Sequence, residues 1–253
     1  MERCGITRAM GGDGLHEGEI VRVVPHLHTN YSWDSRTEPR DLIAALERHR
    51  VDVAIVSDHD SFDGSLEAAS LTDQVLIPPA AEIRTDLGDV IVIYEPGVIP
   101  PPVAELKAFD DLVSVAASTD ALVWLPHPYV AHRDIERLAA AAAVIETFNA
   151  RCSNHQNERA HELCRRYAKV EGFGADAHVL SEVGRTWAEY RPNESIQAML
   201  LAGPVSTHQV KARRGDMARA ERLYSRRRKR MVPYAWHSAR VALASVGEKL
   251  SGS

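Results

Sequence analysis

The chain is poor in several things at once. It has only three cysteines in 253 residues, Cys4, Cys152 and Cys164. They are odd in number, far apart, and never spaced CxxC. A disulfide framework and a thiolate zinc site are therefore both excluded as organising principles. No apolar run reaches the roughly 18–20 residues needed to span a bilayer. The opening stretch "MERCGITRAMGGDGLHEGE" has no apolar core of the signal-peptide kind, so the expected compartment is the cytoplasm. Residues 1–18, rich in glycine and polar side chains, are expected to be disordered. Aromatics make up only 6% of the chain. There is no internal repeat and no low-complexity linker.

What is present is an ordinary core. Hydrophobic residues account for 45% and charged residues for 26%, over a length sufficient for one large α/β domain or two small ones. The net charge of −5 hides an asymmetry. Between Lys211 and Arg230 lie ten Lys/Arg against two Asp/Glu, so the rest of the chain is clearly acidic. An acidic body suits cations. A basic segment suits an anionic partner or the body itself.

Short β-rich runs alternate with helical patterns. Strands are expected at 19–25, 51–57, 74–83, 89–95, 121–126, 143–148 and near 172–176. Helices are expected at 37–50, 64–71, 102–119, 133–141 and 154–169. Thr37 is the expected cap of the first helix, with Pro39 in its first turn. Pro78 and Pro79 exclude a long ladder in the third strand. The alternation predicts parallel strands with helical crossovers, as an open sheet or a closed barrel, and roughly seven units favour the barrel. In either fold, sites form where the strand C-terminal ends meet.

Polar residues collect at those ends. "VPHLHTNYSWDS" places His26, His28 and Asp34 after the first strand. "SDHD" places Asp58, His59 and Asp60 after the second. Glu82 ends the third, His127 follows the "WLP" strand, and "ADAH" supplies Asp176 and His178. Residues i and i+2 of an extended strand point to one side, so HLH and DAH can each present a pair to one ion. Histidines and carboxylates at five strand ends suit divalent Zn, Mn or Fe. Buried without a cation, so many polar groups would be costly. His49, His132, His155, His161, His208 and His237 are assigned mostly to surface or packing roles.

The ordered set HLH (26–28), SDHD (57–60), AEI with PHP (81–83, 126–128) and DAH (176–178) resembles the PHP (polymerase and histidinol phosphatase) family of metal-dependent phosphoesterases, in its small bacterial stand-alone form. The resemblance runs from about Val21 to Gly184. It implies a distorted (β/α)7 TIM-like barrel, with two or three divalent ions at the strand C-terminal ends. It implies His26, His28, Glu82 and Asp176 around a first ion. Glu82 would bridge to a second ion that His127 also binds, and Asp34, His59 and His178 would hold a third. Members with three ions carry a histidine in the strand that here reads "GDVIVIY", and this chain has none between Glu82 and His127. The second ion is thus short of a ligand. "GADAH" has Ala175 where serine is commoner. The stretch "IETFNARCSNHQNERA" and the tail "VPYAWHSARVALASVGEKL" resemble small bacterial members more loosely.

The domain expectation is a PHP phosphoesterase domain over 19–205 with a basic helical extension over 206–253. The expected activity is hydrolysis of a phosphate ester, on a nucleotide or sugar phosphate, by a metal-activated hydroxide. Asp58 and Arg151 are the expected catalytic side chains. Asp58 or Asp60 would orient an imidazole, Arg151 would grip phosphate, and Arg185 is a weaker candidate for that grip. The expected partner is a phosphorylated small molecule. Two alternatives stand beside it: a nuclease for short oligonucleotides using 211–230, and a non-enzymatic metal-binding regulatory module. The basic segment contains a single aromatic, Tyr224, so it offers no evident stacking platform for nucleic acid.

Overall fold

In the computed structural model the structure describes residues 19–220 and 222. The expectations for 1–18 and for most of the basic extension lie outside the described residues. Nine strands appear: β1 (Val21–Leu27), β2 (Val53–Val56), β3 (Ala80–Arg84), β4 (Asp89–Ile93), β5 (Leu122–Leu125), β6 (Val144–Asn149), β7 (Val170–Gly174), β8 (Trp187–Tyr190) and β9 (Ser206–His208). The helices are α1 (Pro39–Arg48), α2 (Asp63–Ser70), α3 (Phe109–Thr119), α4 (Ile135–Ala141), α5 (Asn154–Arg166) and α6 (Ile196–Leu201).

The strands form two sheets, ordered β2-β1-β8-β9 and β3-β4-β5-β6-β7. Among the described residues no continuous ladder closes them into one barrel, but the two sheets are joined at both edges. The sheets meet at two seams, where single parallel bridges join His59 to Glu82 and Leu27 to Ala177. The first seam is held by Glu82 N donating to Asp58 O and Asp60 N donating to Glu82 O. The second is held by Ala177 N donating to His26 O and His28 N donating to Ala177 O. Both seams therefore run through the residues singled out at the strand ends.

The expectation of parallel strands throughout is also corrected. β1–β2, β5–β6 and β6–β7 are parallel, whereas β4 runs antiparallel to both β3 and β5. A parallel crossover needs a dozen or more residues. Only 85–88 separate β3 from β4, so the chain must turn back on itself. Gly88 takes φ +141° in that turn, and Thr85 Oγ1 accepts from the backbone N–H of Leu87 and Gly88. The reversal brings Asp89, the first residue of β4, level with Arg84 at the end of β3.

Side chains alternate across the sheets as a period of two requires. Val23, Val53, Ile55, Ile91, Ile93, Trp124 and Phe173 fill one core with Tyr190 and Met199. Val90, Val92, Val123, Leu125 and Ile145 turn the other way, under α3, α4 and α5. Val24, Ala54 and Val56 meet Leu42, Ala45 and Leu46 of α1. Burial on both faces explains the near-continuous apolar strands. α1 has Pro39 in its first turn as expected, but it starts there rather than at 37, and its cap is Glu38, which makes no side-chain capping bond, rather than Thr37. α5 opens on a full capping box between Ser153 and Gln156. Beyond β9, residues 214–220 are helical. Lys211 docks on the body, its ammonium donating to Cys152 O and lying 5.0 Å from the Phe148 ring centroid. Cys152 and Cys164 are free and buried.

Candidate metal centre

The eight side chains expected to ligate metal converge. Their donor atoms fall into three groups, each within a span of 4.8 Å: His28, Asp34, His59 and His178; His26, Glu82 and His127; His26, His28 and Asp176. Glu82 and His28 join them. Glu82 Oε1 lies 2.9 Å from His127 Nε2, and Glu82 Oε2 lies 3.3 Å from His26 Nε2, 3.4 Å from His28 Nε2 and 3.2 Å from His59 Nδ1. Asp34 Oδ2 lies 3.0 Å from His178 Nε2 and 3.4 Å from His59 Nε2. Asp176 Oδ1 lies 3.6 Å from His28 Nε2. Glu82 is fully buried and His26 and His28 are 1% exposed.

The backbone at the site is irregular, which corrects the simple i, i+2 account of HLH. β1 changes register against β2 between Val24 and Leu27, and His26 takes φ +62°. His127 and Asp176 also lie at positive φ, +27° and +47°. Three candidate ligands in conformations that non-glycine residues avoid are a local strain of the kind that collects at functional sites. The imidazoles of His26 and His28 still meet, with ring centroids 5.1 Å apart.

Three of the imidazoles, those of His26, His28 and His178, are turned by a second hydrogen bond. His26 Nδ1–H donates to Glu146 Oε1 at 2.7 Å, leaving Nε2 for the cluster. Glu146 Oε2 accepts from the His127 backbone N–H and from Asn149 Nδ2, which also donates to Asp176 Oδ2. Ser32 Oγ donates to Asp58 Oδ1 and so accepts from His28 Nδ1–H, at 3.0 Å. His178 Nδ1–H donates to Asp176 O at 3.0 Å. Carboxylate, hydroxyl and carbonyl acceptors behind histidines fix their tautomers in metal sites. Glu146, Ser32 and Asn149 carry no sequence signal of this role. Polar residues at the end of an apolar strand were the only hint.

Asp58 is buried, and its carboxylate accepts from Thr29 N, Thr29 Oγ1, Ser32 N and Ser32 Oγ, at 2.6, 2.6, 3.1 and 2.7 Å. It reaches an imidazole through Ser32, and that imidazole is His28 rather than the adjacent His59. Asp60 accepts from Arg84 N and pairs with Lys107. Arg151 Nη1 donates to both oxygens of Glu182, at 3.2 and 3.1 Å, and Glu182 accepts from His178 N. Arg185 faces Asp216 at 3.6 Å. Ala175 is buried, its N–H donating to Pro25 O.

The donor set suits divalent cations by an observation independent of resemblance. His28 Nε2, His59 Nδ1, His127 Nδ1 and Asp34 Oδ1 are buried without a hydrogen-bond partner. Imidazole and carboxylate donors left facing one another fit Zn, Mn or Fe. Burial and the neighbouring His178 and His59 push His28 down to about 3, so it stays neutral and able to ligate. Burial opposes charge on His26, but Glu146, Asp176 and Glu82 outweigh it and raise its pKa well above the usual value. Burial likewise favours a neutral Glu82 and a neutral Asp176, yet surrounding imidazoles, His59 and His26 for Glu82 and His26 for Asp176, hold both well below the carboxylate range. Without metal, protons on histidine must balance these carboxylates.

That balance predicts a pH dependence. Burial disfavours charge on His59, but Glu82 and Asp34 prevail and raise its pKa from 6.5 to about 9. Such a proton stabilises the ion-free fold fully below pH 6.5, and the contribution is lost as pH rises towards 9. Asp34 is lowered despite its burial, by His178 and His59, so its contribution is present above pH 3.8 and lost in acid. In EDTA the melting temperature is expected to fall steadily between pH 6.5 and 9. With Mn or Zn bound the fall should vanish, because the ion replaces the protons. Parallel melts with and without chelator check this.

Gly174 makes room for Glu146. A Cβ there would lie 2.5 Å from Glu146 Oε1. Gly174→Ala should therefore displace Glu146 from His26 and weaken metal binding by about 10–100-fold, the usual cost of losing such a support. Competition against a fluorescent chelator measures it. Unchanged affinity would mean that Glu146 does not orient His26.

The PHP-associated family model matches residues 154–202. An uncharacterized protein from Methanocaldococcus jannaschii is 28% identical over 185 residues, covering 67% of this chain and 70% of its own length. Among solved structures, PsfC from Pseudomonas syringae aligns with a TM-score of 0.56 at 15% identity, over 83% of this chain and 99% of that one. A two-domain protein from Bacteroides vulgatus, described as containing a predicted PHP-like metal-dependent phosphoesterase, aligns with a TM-score of 0.57 at 16% identity, over 74% of this chain and 63% of that one. These structural likenesses are likenesses of fold. Among the described residues, no helix is long and apolar enough to cross a membrane.

Proposed function

Taking the chain as a PHP-domain protein, as the family match over 154–202 and the shared fold support, we propose that it is a metal-dependent phosphoester hydrolase. One observation carries the proposal: eight imidazole and carboxylate side chains converge in three adjoining groups, and four of their buried polar atoms have no hydrogen-bond partner. In this reading His26, His28, Glu82 and Asp176 hold one ion, Glu82 and His127 contribute to a second, and Asp34, His59 and His178 hold a third. Bound divalent ions would supply charge stabilisation for phosphate oxygens and a water of lowered pKa.

The protein's own groups do the positioning. Glu146 and Ser32 present the Nε2 lone pairs of His26 and His28. Asp58 acts as a positioning residue, holding Ser32 and the 29–32 turn. Arg151 secures the DAH loop through Glu182, and in this reading it positions that loop. Trp33 stacks on His59, with centroids 4.9 Å apart and planes at 13°, and covers that imidazole from solvent. Arg84 lies 5.5 Å from the Trp33 ring. It lines a cleft of about 380 Å³ with Thr85, Asp89, Ala131 and Arg133. Asp86 lines it too and Arg84 pairs with Asp89 at 3.0 Å, so the cleft balances its charges, and the substrate proposed, a nucleotide or sugar phosphate, rests on the ion cluster.

The test is phosphate release from nucleotides, sugar phosphates and short oligonucleotides, by chelator-stripped protein and by the same protein reloaded with Mn or Zn. Turnover of one substrate class only after reloading is expected. Full activity in the stripped sample would overturn the mechanism. Bound ions without turnover on any ester would favour a metal-binding module.

A further inference from the structure

In the reading above the second ion is the least supplied, with only Glu82 and His127 assigned to it. The group around it is His26, Glu82 and His127, and His26 is shared with a neighbouring group. Zinc and similar ions take four or more ligands. We propose that His132 completes this group, supplying Nδ1 as the further ligand. The inference rests on the metal-binding reading above.

The loop after β5 is folded to bring His132 beside His127. Val130 N donates to His127 O, and Ala131 takes φ +58°, so the chain doubles back within five residues. Arg133 N then donates to Leu87 O at 2.8 Å, anchoring the loop to the β3–β4 turn. The imidazole centroids of His127 and His132 are 5.7 Å apart. Those of His26 and His127, which already share the group, are 5.6 Å apart.

The ring is held as a metal-binding histidine is held. His132 Nε2–H donates to Asp89 O at 2.9 Å. That bond fixes the tautomer and leaves the lone pair on Nδ1, the carbonyl-backed arrangement common among ligating histidines. Nδ1 is buried and has no hydrogen-bond partner. A buried acceptor left unpaired is costly, and a histidine kept only for packing would avoid that cost by exposing the atom. Gly88 makes the space: a Cβ there would stand 2.4 Å from His132 Cδ2. The reversed β4 matters as well, because it puts Asp89 O at the end of the sheets where Glu82 lies. His132 lies outside the 4.8 Å span shared by the other three, so the inference includes a turn of the ring towards them about its Asp89 bond.

The experiment counts ions rather than turnover. Chelator-stripped protein is titrated with Mn and with Zn, and stoichiometry is read by native mass spectrometry and affinity by calorimetry. For His132→Phe, one ion per chain should be lost or weakened about tenfold or more, with the remaining ions unchanged. His132→Gln keeps a donor for Asp89 O and guards against a folding artefact; it should show the same loss with an unaltered circular dichroism spectrum. His132→Asp, which restores an anionic ligand, should recover part of the affinity. If wild type binds ions and His132→Gln binds the same number equally tightly, this inference is overturned and the metal reading stands. If wild type binds none, both fall.

Discussion

Glu82→Gln is expected to lower metal affinity by about 100-fold or more and to abolish phosphate release. The size follows from its position. One carboxylate stands within 3.4 Å of nitrogens on His26, His28, His59 and His127. A neutral amide keeps the volume but removes the negative charge that these groups surround, and it places a donor where lone pairs converge. Losing a support outside the ligand set already costs about 10–100-fold, so losing the shared ligand itself should cost at least that. Because Gln is nearly isosteric, the fold should persist, and circular dichroism separates loss of metal from loss of structure. A Glu82→Gln protein that retains its ions and its turnover would contradict the assignment of Glu82 as the joining ligand.

Asp58→Ala should act differently, on stability first. The substitution leaves Thr29 N, Thr29 Oγ1, Ser32 N and Ser32 Oγ without their shared acceptor in a buried setting. Hydrogen bonds to a charged group are worth about 1.5–3 kcal/mol, and orphaned buried donors add to the loss. The donors are neutral, share one carboxylate and can relax together, and burial already disfavours the charge on Asp58, so a loss of about 1–3 kcal/mol is expected. Urea unfolding measures it. Asp58→Asn, which retains one acceptor oxygen, should be milder in stability yet still weaken metal binding, because Ser32 would no longer hold His28 Nδ1–H as firmly. An Asp58→Ala protein as stable as wild type would show the network to be dispensable.

The candidate site was more legible in the sequence than the fold that carries it. Imidazole and carboxylate residues at five strand ends are unusual enough that position along the chain was sufficient to nominate all eight. The supports were not legible. Glu146 sits inside the buried strand β6, and nothing in "VIETFN" distinguishes a carboxylate that braces His26 from one that pairs elsewhere. His132 reads as an ordinary loop histidine, because its relation to Asp89 depends on two left-handed residues and a loop anchor that no local pattern announces. The reversed strand β4 was readable in principle, since 85–88 are too few for a crossover, but the regular βα alternation around it masked that one short connection. The form of the two seams could not be read at all. Whether neighbouring strands join by a ladder or by a single bridge depends on register and bulges, such as the shift between Val24 and Leu27, and those are set by packing.

The central claim is that this cluster is built to hold divalent ions. It is tested most directly by titrating chelator-stripped wild-type protein with Mn and Zn under native mass spectrometry. The account predicts at least two ions per chain, bound with release of protons from the histidines. A protein that remains ion-free at excess metal, with its fold intact, would contradict it.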